Sequence, residues 1–383
     1  MKTSESKHLD VLDYARAAAI LSVLAFHNFQ FCYGNLNWVG WFRDFDSAPP
    51  SLIYFTPLWF GFAGVAIFFV ISGFCIHLSF QQQGRSWKTF YIRRFFRLYP
   101  AYFAALIFST IVVQIHPHFR LHFGELLAQW GTHLFFVFNI TPPLFVGLNN
   151  SFWSLAVEAQ LYLIYPLLLF FVARLGWRRT MVILLVVELL IRSTSDLPSE
   201  YVYQRSIWLL ANGPFGYWFS WSLGAWLADS YLKNEPLPLS NFLLTPFLWL
   251  SAASYLILPL NPFFFLLVAV TTSITLSKVL SGQKWFSIPE LGKTCLKKIS
   301  LWSYSIYLVH MPIIMVCSLI LVRIIPAQTR TYPVVMLLLT ALWPLIFLVS
   351  VAWHKIFELP GIAFGKRIIA NVSSRNTAAK GSA

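Results

Sequence analysis

The stretch "LDVLDYARAAAILSVLAFHNFQ", Leu9 to Gln30, decides how the chain is read. From Ala17 on it is nearly all apolar, and about 20 such residues are enough to cross a bilayer as a helix. It nevertheless carries Asp13, Arg16 and His27. Ionisable side chains within a span are costly and are kept where they face a partner or a cavity. Arg16 and His27 are eleven residues apart. In an α-helix that spacing is three turns plus about 20°, so both side chains leave one face, about 16 Å apart along the axis. Asp13 lies three residues before Arg16 and is placed to pair with it. A snorkelling arginine and a histidine bonded to a neighbouring helix account for the same residues without function.

Outward from this stretch the pattern repeats. Of 383 residues, 58% are hydrophobic and 11% are charged, against about 25% charged in globular domains. The apolar residues come in runs of roughly 20 separated by short basic clusters. The fold class read from this is all-α: a multi-pass integral membrane helical bundle. About ten spans are expected, at roughly 11–31, 54–79, 97–115, 153–173, 180–192, 212–231, 242–258, 262–280, 301–322 and 333–355. The first is read as an uncleaved transmembrane helix rather than a signal peptide. Residues 1–367 form a single membrane domain, and 368–383 form a disordered cytoplasmic tail.

Charge sets the expected orientation. With the N-terminus inside, 21 of the 28 Lys and Arg residues fall in cytoplasmic segments, which puts both termini in the cytoplasm. The same distribution explains the net charge of +14 by topology and leaves no call for a nucleic-acid partner. Cys32, Cys75, Cys295 and Cys317 are dispersed, without metal spacing or a disulfide framework. The outer stretch 116–152 contains His116, His118, His122 and His133. It lacks the spacing of a metal site, so no metal is expected, and its aromatic, Pro and Gly content suggests a partly re-entrant or interfacial segment.

Two further clusters carry chemistry. In "SWKTFYIRRFFRLYPAYF", Arg93, Arg94 and Arg97 gather at the cytoplasmic start of a span. This serves topology, and it also offers a fork of guanidiniums for phosphate. In "NNSFWSLAVEAQLYLIYPLLL", Asn149, Asn150, Ser151, Trp153 and Ser154 precede Glu158. Ser151 or Ser154 is placed to cap the helix, with Glu158 in its first turns, where the helix dipole favours a carboxylate. The alternative role for Glu158 is a functional carboxylate near the level of His27.

Taken in order along the chain, these segments resemble the membrane-bound acyltransferase 3 family, whose members O-acylate carbohydrates and related molecules. "LDYARAAAILSVLAFH" (Leu12–His27), "GVAIFFVISGF" (Gly64–Phe74) and "RRFFRLYPAY" (Arg93–Tyr102) are similar to its opening motifs. "WSLAVEAQLYLIYP" (Trp153–Pro166), "SYSIYLVHMPI" (Ser303–Ile313) and "FELPGIAFGKR" (Phe357–Arg367) are similar to the later ones. Tyr14, Ala15 and Ala17 depart from the usual residues around Arg16, and Ala159 stands where a second Glu is common.

The resemblance implies an enzyme of the cell (inner) membrane that moves an acyl group from cytoplasmic acyl-CoA to a hydroxyl of a cell-surface or lipid-linked glycan. The default group is acetyl, from acetyl-CoA as co-substrate, with no permanently bound cofactor. It assigns Arg94 and Arg97 to the CoA phosphates and Arg16 to a phosphate or the pantetheine. His27 is the expected catalyst, since a free imidazole titrates near pH 6.5. It acts either as general base on the acceptor hydroxyl or as the carrier of an acyl-imidazole. Glu158 is catalytic beside it, and Trp153, Asn150 and His310 are expected on the acceptor, with a structural role open for His310. Glu358 is expected to pair with Arg94, Arg97 or Arg16. A transporter or flippase, and a scaffold for polysaccharide assembly, are the alternatives without chemistry.

Overall fold

The computed structural model describes residues 9–33, 60–116, 119–145, 147–194, 205–283, 288–324, 326 and 332–381. Among these residues every regular element is helical. A helix closes its backbone hydrogen bonds within itself, which lipid requires of a spanning segment. The α-helices are α1 (Asp10–Tyr33), α2 (Ala63–Gln82), α3 (Trp87–Ile115), α4 (Phe123–Leu134), α5 (Trp153–Ser193) and α6 (Arg205–Asn212). Then follow α7 (Trp218–Lys233), α8 (Leu244–Leu256), α9 (Phe264–Leu280), α10 (Glu290–Ile324), α11 (Tyr332–Ala341), α12 (Trp343–Trp353) and α13 (Leu359–Gly381). A π-turn, His354–Glu358, joins the last two.

Six helical stretches among the described residues are long and apolar enough to cross a membrane: 60–82, 87–115, 150–193, 259–280, 290–321 and 337–372. Their outward faces are apolar, with Ile111, Leu163, Val182, Leu190 and Leu348 all more than half exposed, as lipid contact demands. The protein is thus a multi-pass membrane protein.

The six stretches and the ten expected spans differ for physical reasons. The spans at 153–173 and 180–192 lie in one helical run, α5, which is broken at Gly176 (φ 75°, ψ 164°). That backbone conformation suits glycine. The spans at 212–231 and 242–258 fall on α7 and α8, of 16 and 13 residues. In α1 the polar residues Arg16, His27, Asn28 and Gln30 lower the mean hydropathy. Residues 54–59 of the second expected span, His118 and the N-terminal Lys2 and Lys7 lie outside the described residues.

The stretch expected to be partly re-entrant or interfacial takes an interfacial form, and the C-terminal tail differs from expectation. The stretch after His116 contains a regular helix, α4, with its polar Gln129 and His133 buried and its apolar Phe123 and Leu127 82% and 65% exposed. Such an inverted amphipathic helix suits a membrane interface. At the other end, α13 runs to Gly381, where a disordered tail was expected from 368. Once a helix is nucleated, each further residue adds a bond at little cost.

The chain divides into two units. The first comprises residues up to Leu78, Phe135–Phe145 and Trp153–Ser303. In it α2 and α7 meet backbone to backbone. A Cβ on Gly73 would fall on the Trp221 carbonyl oxygen, and one on Gly224 on that of Val70. Small residues at a crossing allow this approach between membrane helices. Gly61 and Gly64 do the same against Ser22 and Ala19 of α1.

The second unit comprises Ser79–Leu134, Val146–Phe152 and Tyr304–Ala383. Here α13 lies along α3, with Gly361 and Gly365 over Phe96 and Pro100. Tyr304 donates to the Leu98 carbonyl at 2.8 Å, and Trp353 to that of Ala101 at 3.2 Å. Tyr102 donates to the His133 carbonyl at 3.1 Å, which ties α4 to α3.

Candidate active site

In the first unit α1 is unbroken from Asp10 to Tyr33, so Arg16 and His27 share one helix. Arg16 Nη1 donates to Asp13 Oδ1 at 3.4 Å and to Ser300 Oγ at 3.5 Å. Its Nη2 reaches Cys75 Sγ at 3.3 Å, and Ser300 in turn donates to Asp13 at 2.9 Å. The guanidinium is thus aimed by three elements and remains partly exposed. His27 is 5% exposed, with the Phe26 ring edge-on at 5.4 Å. The imidazole is therefore buried rather than turned out to lipid. Beside it in sequence, Asn28 is fully buried, and among the described residues neither atom of its amide has a hydrogen-bond partner.

Glu158, half-buried in the second turn of α5, has its Oε1 held twice. Ser72 Oγ and the Tyr162 hydroxyl each donate to it at 2.5 Å. Trp221 Nε1 donates to Ser72 Oγ at 3.2 Å. Among the described residues Oε2 takes no protein hydrogen bond. The other buried carboxylates of α5 and α7 contrast with this. Both oxygens of Glu188 are used, by Arg192, the Ser220 hydroxyl and the Ser220 amide. Both oxygens of Asp229 are used, by His77, Trp177 and Lys233. Glu188 and Asp229 tie helices together, whereas Glu158 keeps an acceptor in reserve. Trp153 stacks on Phe62 at 6.0 Å and on Phe145 at 6.4 Å, and meets Tyr217 at 5.6 Å. It is 5% exposed, so its ring is largely taken up by packing.

In the second unit Asn149 organises the turn Asn149–Ser151. Its Oδ1 accepts the Ser151 amide at 3.0 Å and the Ser151 hydroxyl at 2.7 Å. Its Nδ2 donates to Ser109 at 3.1 Å. Two adjacent asparagines therefore have opposite fates. Asn149 is satisfied, while Asn150 is 5% exposed with neither amide atom bonded among the described residues. A buried amide left without partners costs about 1–3 kcal/mol, a cost that a bound polar group removes. His310 is fully buried, and its Nδ1 donates to the Ile306 carbonyl at 3.1 Å. Arg94 is half-buried and Arg97 exposed. Arg93 and Arg94 line a cleft with Ser79, Gln83, Ser86 and Thr89 at the start of α3, where the helix dipole also favours an anion.

Glu358 is paired differently from the expectation. Its Oε2 accepts from Ser305 at 2.8 Å and from His354 Nδ1 at 2.9 Å. A carboxylate only accepts, so Nδ1 carries the proton. The π-turn sets His354 and Glu358 on one side of the chain, and this pair takes the place of the expected arginine partner.

The sequence does not single out Ser72, Tyr162, Trp221 or Ser300, and it marks Cys75 only as a dispersed cysteine. Tyr162 had a signal, being four residues after Glu158 on one helix face. The others meet their partners only through tertiary packing. Among the described residues no group of three metal-capable side chains gathers.

Residues 9–354 match the family model described as "Acyltransferase domain". The "Peptidoglycan O-acetyltransferase OatA" of Listeria monocytogenes is 32% identical over 174 residues, covering 42% of this chain and 24% of that protein. YrhL of Bacillus subtilis is 30% identical over 187 residues, covering 44% of this chain and 25% of that protein. "Acyltransferase MdmB" of Streptomyces mycarofaciens is 28% identical over 131 residues, covering 34% and 33%. The chain thus spans about a quarter of the length of the first two relatives. No solved structure matches.

Proposed function

The chain belongs to this acyltransferase family, and we propose that it moves an acetyl group from cytoplasmic acetyl-CoA to a hydroxyl of a cell-surface or lipid-linked glycan. It does so from the cell (inner) membrane, crossing it ten times with both termini in the cytoplasm. The observation that carries the reading is a pair of polar groups in the first unit: a buried His27, and a half-buried Glu158 whose Oε2 is unspent among the described residues.

His27 works at the reacting carbon, either taking the proton of the attacking hydroxyl or carrying the acyl group as an acyl-imidazole. Glu158 Oε2 accepts a hydrogen bond from the acceptor and orients the hydroxyl that attacks. Arg16, steadied by Asp13, and the cluster Arg94 and Arg97 neutralise the phosphates of the donor, for which guanidinium forks are suited. Asn150, whose amide has no partner among the described residues, binds the sugar in this reading, and Trp153 and His310 are each assigned to the acceptor on their own account. The similarity to a peptidoglycan O-acetyltransferase favours acetyl as the group and a glycan as the acceptor.

The test is direct. The protein in lipid nanodiscs is given labelled acetyl-CoA and glycan stripped from cells that lack it, and product is read by mass spectrometry. A gain of one acetyl mass on the glycan, with release of CoA, is expected. Unconsumed acetyl-CoA and unmodified glycan would overturn the proposal.

A further inference from the structure

The second-helix motif "GVAIFFVISGF" has no part in the roles assigned above, and the structure gives it one. Gly73 brings the α2 backbone against the Trp221 carbonyl. This close crossing sets the preceding residue, Ser72, within reach of α5 and α7. Trp221 Nε1 can only donate, so at 3.2 Å it makes Ser72 Oγ an acceptor. A hydroxyl has one proton, and that of Ser72 goes to Glu158 Oε1 at 2.5 Å. From the other side, one turn along α5, the Tyr162 hydroxyl reaches the same oxygen, also at 2.5 Å.

We infer that Ser72 and Tyr162 are positioning residues that clamp Glu158 by one oxygen, so that its Oε2 alone is presented to the hydroxyl of the acceptor. The reading rests on the proposed acyl transfer and deepens it. A carboxylate on two single bonds rotates about its side-chain torsions, and each rotation misplaces the hydroxyl it holds. Two donors from two helices remove that freedom before the acceptor arrives. A fixed geometry at the reacting group is where much of an enzyme's advantage lies. The donors also share the charge of Oε1 without a cation, which leaves the carboxylate an ion-free acceptor for a neutral hydroxyl. Glu188, beyond the break at Gly176, shows the opposite arrangement, with an arginine on it and no oxygen to spare.

The clamp acts on the acceptor and only through Glu158, which separates it from a general packing role. With acetyl-CoA as donor and glycan stripped from cells lacking the protein as acceptor, Ser72→Ala and Tyr162→Phe each lower kcat/KM for the glycan about tenfold. KM for acetyl-CoA stays within about twofold. Ser72→Thr, which keeps the hydroxyl, recovers most of the loss. In a Glu158→Gln background Ser72→Ala costs nothing further, the signature of two residues acting as one unit. Where Glu158→Gln leaves no measurable turnover, the split between the substrates and the threonine rescue decide. Thermal unfolding of each variant checks that it folds. Equal losses for donor and acceptor, full activity in Ser72→Ala, or failure of threonine to rescue would overturn the clamp while leaving acetyl transfer by the wild type intact. A wild type that consumes no acetyl-CoA removes the underlying reading instead.

Discussion

Arg192 grips Oε1 of Glu188 with two nitrogens, Nε at 3.0 Å and Nη2 at 2.9 Å, on a helix surface where Glu188 is wholly buried. The remaining valences of both groups are spent on backbone and hydroxyl. Arg192 donates to the Pro262 carbonyl at 3.0 Å and the Gly216 carbonyl at 2.9 Å. Its guanidinium lies 5.3 Å from the centre of the Tyr217 ring and 5.2 Å from that of Phe265. Three chain segments of the first unit are thus fastened at one ion pair.

That fastening predicts a stability effect. Arg192→Ala leaves Glu188 buried without its counter-charge, and breaking such a pair costs about 3–5 kcal/mol. Thermal unfolding in detergent micelles should show a marked loss. Replacement of both partners by apolar residues of similar size should be much less harmful than either single change. A single variant as stable as the wild type contradicts the account.

The close crossing of α2 and α7 predicts a steric effect. Gly224→Ala places a methyl on the Val70 carbonyl and close to the Phe74 amide. Backbone cannot yield as a side-chain tip can, so the variant should unfold at lower temperature and lose transfer activity together. Gly131→Ala, where nothing among the described residues lies within 4 Å, is the control and should change neither.

Outside the spans, His133 predicts a pH effect. Its ring is buried on α4, and burial lowers its pKa to about 4 despite the Nδ1 bond to the Gln129 carbonyl. In the unfolded chain an imidazole titrates near 6.5. As pH falls from 6.5 toward 4, the unfolded state takes up a proton that the folded state refuses, so stability is lost in that window. Above 6.5 the effect is absent. Hydrogen exchange of 123–134, corrected for intrinsic rates, should be faster at pH 5 than at pH 7, and His133→Gln should flatten the difference.

Much of this architecture is legible in the sequence because lipid imposes a coarse rule. Runs of apolar residues must be helices, and α1 and α9 fall close to where those runs lie, while α3 starts at Trp87, ahead of its apolar run. Breaks inside a run are harder to read. The break at Gly176 separates two helices, as the two expected spans have it, but the sharp backbone turn that joins them is a local choice with no signal beyond the glycine itself. In the site, Arg16 and Asp13 are neighbours on a helix, so their pairing could be foreseen. Glu358 could not be assigned correctly, because Ser305 is 53 positions away and the π-turn that brings His354 to it has no sequence signature. Ser72 and Trp221, 149 positions apart, are visible only once the glycine crossing is known.

For the donor side, Arg97→Ala is expected to raise KM for acetyl-CoA about tenfold, on the scale of one lost hydrogen bond to a charged group, and to leave KM for the glycan unchanged. Steady-state kinetics at saturating second substrate measure this. Equal weakening of both substrates assigns Arg97 to structure instead.

The most direct test of the central claim is acetyl transfer by His27→Ala, compared with wild type at equal amounts of folded protein in nanodiscs. The account predicts that labelled acetyl fails to reach the glycan, while unfolding temperature stays close to that of the wild type. Undiminished acetylated glycan from the variant would contradict it.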